Sequence, residues 1–350
     1  VKDAPDMLYP LKFKPMLVEK IWGGRKLENV LGKRLPPDRP IGESWEIYDF
    51  PPGVVNGSTQ WVSAAIANGP LAGRTLHDLM CKHRRELMGD VAPLPPHGQF
   101  PLLIKFLDAE ENLSVQVHPP AEYAARHPGT HLKTEAWYIL QADPGAMLWK
   151  GLAPGVTADE LRRAIADGRV QQAIQSHPVK AGDFHYLPSG TVHALGKGIL
   201  VAEVQTPSDT TFRIYDFDRI DPATGRPRTL HIEEALECIS FDGQPPPQPR
   251  SHVASLFTTV TRLVSCPFFT IEKVRFAEGA SQQVPYDQPV VWIMLQGEAK
   301  LDVGGLGQSV FFSRGDTLLL PARMDQPVLT TLSDCQWLEV TLPAGPANSD

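Results

Sequence analysis

Residues 182–193 read Gly182-Asp183-Phe184-His185-Tyr186-Leu187-Pro188-Ser189-Gly190-Thr191-Val192-His193. Gly-Asp, four residues and then Pro spell a turn, a strand and a second turn. The pattern returns at Gly315-Asp316-Thr317-Leu318-Leu319-Leu320-Pro321-Ala322-Arg323, which implies two related domains. The second copy lacks the later Gly and the His, so only the first can hold a metal in this way.

Outward from these turns, short runs rich in β-branched and aromatic residues recur between Gly and Pro clusters: 44–48, 102–106, 114–117, 136–140 and 199–204. With 28 glycines and 34 prolines in 350 residues, this spacing predicts a turn-rich, mainly β protein built as a sandwich or barrel. Helices are expected at 75–88, where Thr75 caps with Asp78, and as an excursion over 157–176, where Thr157 and Glu160 have capping-box spacing. A third covers 232–239, with Glu233 and Glu234 near its positive end. Four prolines in Gln244 to Arg250 read as an extended linker. They divide the chain into 1–244, carrying the excursion, and an all-β module at 245–350. The later strands fall at 268–274, 290–295, 300–303, 317–320 and 337–341.

Charge excludes several functions. With 33 basic and 40 acidic residues the net charge is −7, which argues against nucleic acid or a polybasic membrane anchor as partner. No stretch approaches the ~20 apolar residues of a membrane span, and residues 1–15 have no apolar run of a secretory signal. Cys81, Cys238, Cys266 and Cys335 are far apart and read as core thiols in a reducing cytoplasm.

The first turn-strand-turn copy resembles the second motif of the cupin family: Gly, five residues, Pro, one residue, Gly, two residues, His. The likeness extends to Gln116-Val117-His118-Pro119, where positions i and i+2 of a strand share a face and can bind one ion. A carboxylate follows in Lys133-Thr134-Glu135-Ala136-Trp137-Tyr138. Gln116, His118, Glu135 and His193 would together make a mixed N/O metal site. Two cupin-type jelly-roll barrels, the second degenerate, are the architecture this implies.

Further motifs narrow the resemblance: Ile21-Trp22-Gly23-Gly24, Gly42-Glu43-Ser44-Trp45-Glu46, residues 101–108, 114–119, 133–138 and 187–195, and the segment from Glu203 to Arg213. Together they resemble the short bacterial form of the class I mannose-6-phosphate isomerases, zinc-dependent two-cupin enzymes. The resemblance implies one Zn2+ on Gln116, His118, Glu135 and His193, and a sugar phosphate isomerised between aldose and ketose through an enediol. It puts Arg213 and Glu203 at the reacting end of the sugar, with Lys133 the first candidate for proton transfer. Glu203 or a zinc-bound water is the alternative base, and His131 a candidate for assisting ring opening. Ser114 and Lys105 fall where the family contacts substrate near the 6-phosphate. The expected protein is a cytoplasmic monomer or weak homo-oligomer with a small-molecule sugar phosphate as partner, not nucleic acid or membrane.

Plain alternatives stand beside these roles. Arg213 can pair structurally with Asp216 or Asp218, Lys105 and Lys133 can be solvated lysines, and Trp137 reads as core. The rival functions are another metal-dependent cupin enzyme, such as an iron oxygenase, and a non-catalytic sugar-binding cupin. A glutamine ligand argues against the first. The complete set of ligands argues against the second.

Overall fold

A computed structural model describes residues 8–55, 57–91, 93–243, 250–304, 307, 309–325 and 327–343. The chain is mainly β, as expected. A six-stranded antiparallel sheet has the order Phe184–Leu187, Glu135–Ala142, Ile199–Gln205, Leu103–Ala109, Ile41–Ile47, Met16–Gly24. A five-stranded sheet has the order Ile174–Pro178, Met147–Leu152, His193–Ala194, Val115–Val117, Phe212–Tyr215.

The later part of the chain repeats this plan. A seven-stranded sheet runs Leu11–Lys12, Thr317–Leu320, Val290–Gln296, Cys335–Thr341, Thr270–Phe276, Thr258–Ser265, His252–Ala254. Its companion has the order Ser281–Gln283, Val328–Thr331, Glu298–Asp302, Ser309–Ser313. Leu11 and Lys12 pair with Leu319 and Leu318, so the start of the chain adds a strand to the sheet built mostly from its end. The proline linker at 244–249 lies outside the described residues.

Side-chain alternation assigns each face of the large sheets. Ala136, Tyr138, Leu200, Ala202 and Val204 point into one cluster together with Val291, Ile293, Leu319 and Leu338. Their neighbours Trp137, Ile139, Ile199 and Val201 point the other way, as do Val290, Trp292, Met294 and Leu318 in the later sheet. A strand with period two must divide its residues like this. The two large sheets therefore meet back to back over a shared apolar core, and each keeps its own interior against its smaller companion.

The repeated turn is real in structural detail. The Gly182 N–H donates to the Ile139 carbonyl (2.9 Å) and the Ile139 N–H to the Asp183 carbonyl (2.9 Å). In the later copy the Gly315 N–H donates to the Met294 carbonyl (3.0 Å) and the Met294 N–H to the Asp316 carbonyl (2.9 Å). Both glycines have positive φ, 92° and 86°, which strains any residue with a Cβ. Each aspartate closes its turn by accepting from the N–H three residues earlier, Lys180 at 2.9 Å and Ser313 at 2.8 Å. Gly-Asp recurs because the turn demands it.

The helices depart from expectation in extent. The first is broken at His83 into Leu76–Lys82 and Arg84–Met88, with the Thr75–Asp78 capping box formed. The excursion holds a helix only over Ala158–Ala166, capped by Thr157 and Glu160, then a short turn of helix at Val170–Gln172 and a strand from Ile174. Gly168, at φ 66°, ends the helix in the left-handed conformation. This helix and Ile232–Cys238 cover the outer face of the five-stranded sheet, where Leu161 and Ala235 pack against Val115, Val117 and Ile214. No helix among the described residues is long and apolar enough to cross a membrane. All the cysteines are free, but Cys81 is exposed rather than a core thiol.

Candidate active site

With Val115 and Val117 buried against the covering helices, the alternation turns Gln116 and His118 to the opposite face, toward the interior. Gln116 lies directly across from His193. Glu135 starts the adjoining strand in the facing sheet. His118, Glu135 and His193 are all buried, and one ligand atom from each lies within 4.8 Å of the others. The His118 Nε2 is 3.3 Å from Glu135 Oε2 and the His193 Nε2 3.1 Å from Glu135 Oε1. Gln116 reaches the same place, its Nε2 3.4 Å from His193 Nε2.

These groups fit a metal ion. Among the described residues, neither ring nitrogen of His118 and neither carboxylate oxygen of Glu135 finds a hydrogen bond of good geometry, although all are buried. Such atoms are costly to bury unless something coordinates them. The His193 Nδ1 lies 2.8 Å from the Thr191 carbonyl, which holds the proton there and leaves Nε2 as the coordinating nitrogen. Burial, with the Lys133 charge beside it, lowers the His118 imidazole to about 3, so the ring is neutral near pH 7. Burial opposes the Glu135 charge, but Lys133 and His118 outweigh it and hold its pKa well below the ordinary value.

Beside this cluster opens a cavity of about 260 Å³. Gln116 and Lys133 join the two: both line the cavity, and the Lys133 Nζ is 3.1 Å from Glu135 Oε2. Lys105, Ser114, Glu203 and Arg213 line it as well, so the structure brings every predicted catalytic and substrate residue to one place. Sequence reasoning missed Lys20 and Arg228, and gave no role to Glu43, Asp209 and Thr211, all of which also line it. Lys20 stands two residues before Trp22, on the same strand face, and that spacing was a usable signal. Arg228 carried none. His131 is not among the lining residues; its N–H donates to Thr210 instead (3.1 Å).

The cations differ in how they are held. Lys105 is buried between Glu43 (3.6 Å) and Glu203 (3.5 Å), with its ammonium 4.8 Å from the centre of the Trp45 ring. Burial opposes its charge, but the two carboxylates outweigh this and raise its pKa. Glu43 is correspondingly lowered to about 2: burial opposes ionisation, while Lys105 and then Lys20 overcome it. Arg213 is different. Asp216 is taken by Arg219 and by Arg228 (Nε to Oδ2, 2.7 Å), so the alternative reading of Arg213 as its structural partner does not hold. Among the described residues, the Arg213 guanidinium donates to the Thr229 carbonyl through Nη1 (3.0 Å), and its buried Nε has no hydrogen-bond partner. Glu203 accepts from Trp137 Nε1 (2.7 Å); burial, followed by the Glu135 charge, raises its pKa.

Residues 10–148 match the family model of the phosphomannose isomerase type I catalytic domain. A mannose-6-phosphate isomerase of Streptococcus mutans is 39% identical over 317 residues, spanning 90% of this chain and 93% of that protein. The chain belongs to the type I phosphomannose isomerase family. A Bacillus subtilis member named mannose-6-phosphate isomerase is 37% identical over 330 residues, 93% of this chain and 97% of its own. The crystal structure of a mannose 6-phosphate isomerase from Bacillus subtilis superposes with a TM-score of 0.83 at 31% identity, covering 95% of this chain and 99% of that one. In this phosphomannose isomerase family member, a buried cluster able to bind a metal lies beside a cavity lined by several cations.

Proposed function

We propose that the chain is a zinc-dependent aldose–ketose isomerase interconverting mannose 6-phosphate and fructose 6-phosphate through an enediol. Relatives named mannose-6-phosphate isomerase over nine-tenths of its length support the reading. The observation that carries it is the contact between the His118–Glu135–His193 cluster and a cavity lined by Lys20, Lys105, Lys133, Arg213 and Arg228 against Glu43, Glu203 and Asp209. In a chain of net charge −7, this convergence of cations, with Arg213 paired to no carboxylate among the described residues, suits an anionic substrate. The residues belong to a catalytic cupin unit at 1–244, which lends the Leu11–Lys12 strand to its degenerate partner at 245–350.

Gln116, His118, Glu135 and His193 would hold the zinc, which supplies a redox-inert Lewis acid to polarise the sugar oxygens. The remaining work falls to the chain. A proton must leave carbon 2 of the aldose and a proton must arrive at carbon 1. Lys133, with its amine beside Glu135, is our first choice to move it. Glu203 is the alternative, because its raised pKa makes it a better proton acceptor than an ordinary glutamate. Arg213 keeps its charge and has a buried N–H to spare, so it stabilises negative charge developing on the enediol oxygens. Lys105 and Ser114 serve the phosphate end, and Lys20 and Arg228 reinforce the positive field there. We read the protein as a cytoplasmic enzyme, a monomer or weak homo-oligomer, whose partner is the sugar phosphate alone.

A coupled assay of mannose 6-phosphate conversion tests this. Activity should fall on removal of metal and return with zinc. Fully zinc-loaded protein with no activity on any hexose phosphate would defeat the reading, and iron content with oxygen-dependent turnover would replace it by the oxygenase.

A further inference from the structure

The two large sheets share their strand order, so one cross-strand row compares their interiors position by position. In the earlier sheet the row runs His185, Trp137, Glu203, Lys105, Trp45. In the later sheet it runs Leu318, Trp292, Glu339, Glu272, Arg262. The repeated Gly-Asp turn enforces this alignment, because Gly182 bonds two residues past Trp137 and Gly315 two residues past Trp292.

One pair is kept and two features are exchanged. Trp137 Nε1 donates to Glu203 Oε2 at 2.7 Å, and Trp292 Nε1 donates to Glu339 Oε2 at 3.1 Å. Lys105 is replaced by Glu272, which reverses the charge beside the kept glutamate. The ligand position two residues before the tryptophan, Glu135, is replaced by Val290. The later interior has therefore lost a metal ligand and the buried lysine, and it retains the tryptophan–carboxylate pair.

It also retains a space. A cavity of about 270 Å³ opens against Glu339, Trp292, Trp337, Tyr286, Phe276 and Glu272, close in size to the 260 Å³ of the first. Among the described residues no lysine or arginine lines it, and the nearby Arg262 is engaged by the lining Glu272 (3.2 Å). Glu339 also accepts from the Tyr286 hydroxyl at 2.5 Å, and both its donors are neutral. Exposed Gln282 and Gln283 stand at the rim. An apolar aromatic wall with a few convergent polar groups is the usual make-up of a small-molecule site.

We propose that this cavity is a second carbohydrate site, one that takes a neutral, unphosphorylated hexose. The carboxylate and the Tyr286 hydroxyl meet sugar hydroxyls, the aromatic residues meet the C–H face of the ring, and the absence of a lining cation turns away a phosphate. The inference rests on reading the first cavity as a hexose site. Catalysis has no place here, since the ligand set is gone.

The test is a titration of the intact, metal-loaded protein with D-mannose by calorimetry, in the presence of a saturating equilibrium mixture of the two hexose 6-phosphates. Saturable binding of one mannose per chain is expected, insensitive to the sugar phosphates and weakened about tenfold by Glu339→Gln. Isomerase kcat/KM, measured on the same preparations, should stay within about twofold, which separates this proposal from the reading of the first site. Tyr286→Phe provides the same check should Glu339→Gln fold poorly. Absent binding, binding displaced by sugar phosphate, or binding untouched by both substitutions overturns the proposal.

Discussion

The two large sheets carry the same hydrogen-bonded frame, the same strand order and the same Gly-Asp turn, yet they present different chemistry on their inner faces. In the earlier one, Glu135, Lys105 and Glu203 face inward with His118 and His193 opposite. In the later one, Val290, Glu272 and Glu339 occupy the matching positions, among Trp292, Trp337 and Phe312. The backbone is set by turns and by the shared apolar core; the chemistry is set by a few inward side chains that the backbone tolerates freely. Fold and function thus separate within one molecule.

The largest contrast should come from the metal cluster. His118→Ala removes one of the three buried groups able to hold a metal and should cost at least about a thousandfold in kcat/KM with loss of bound metal. Glu339→Gln in the later sheet should leave kcat/KM nearly unchanged. Comparable losses in both variants, measured by steady-state kinetics and metal analysis, would erase the distinction between the sheets. Arg213→Ala follows, with an expected loss of about 10²–10³ in kcat and a smaller change in KM, because a charge donor of this kind acts chiefly in the transition state.

Glu43 distinguishes the sheets by stability. Its pKa is lowered from 4.5 to about 2 by Lys105 and Lys20 acting against burial. The stability it contributes, about 3 kcal/mol, is therefore present above about pH 4.5 and is lost as the pH falls toward 2. The aligned residue in the later sheet is Val260, paired with Val274, which contributes nothing of this kind. Denaturant unfolding should show Glu43→Gln destabilised at pH 7, with a flatter acid limb than the parent. An unchanged acid limb would contradict the assignment. The smallest effect belongs to the covering helix: Thr157→Ala removes one half of its capping box and should cost about 1 kcal/mol of stability without altering activity.

What was legible in the sequence follows from the range of the forces involved. The Gly-Asp turns, the alternating strands and both capping boxes are local, and each appears where its residues predict. The meeting of His118, Glu135 and His193 in one buried cluster was legible through the resemblance of their motifs to a metal-binding family. The helix at 158–166 ends sooner than its apolar stripe suggests, because Gly168 favours the left-handed turn. Pairing of Leu11 with Leu319 joins the two ends of the chain and has no local signature. Arg228 reaches the cavity while its guanidinium holds Asp216, and nothing in its neighbours announces that position. The fate of Lys105, gripped by Glu43 and Glu203, likewise depends on strands that meet only in the folded sheet.

The most direct measurement follows mannose 6-phosphate by proton NMR in the presence of purified protein, with metal removed and then restored. Zinc-loaded protein should convert it to fructose 6-phosphate, with no conversion after chelation, recovery on adding zinc, and none from metal-treated His118→Ala. Unimpaired conversion by the metal-free protein, or no conversion by the fully loaded one, would contradict the proposed function.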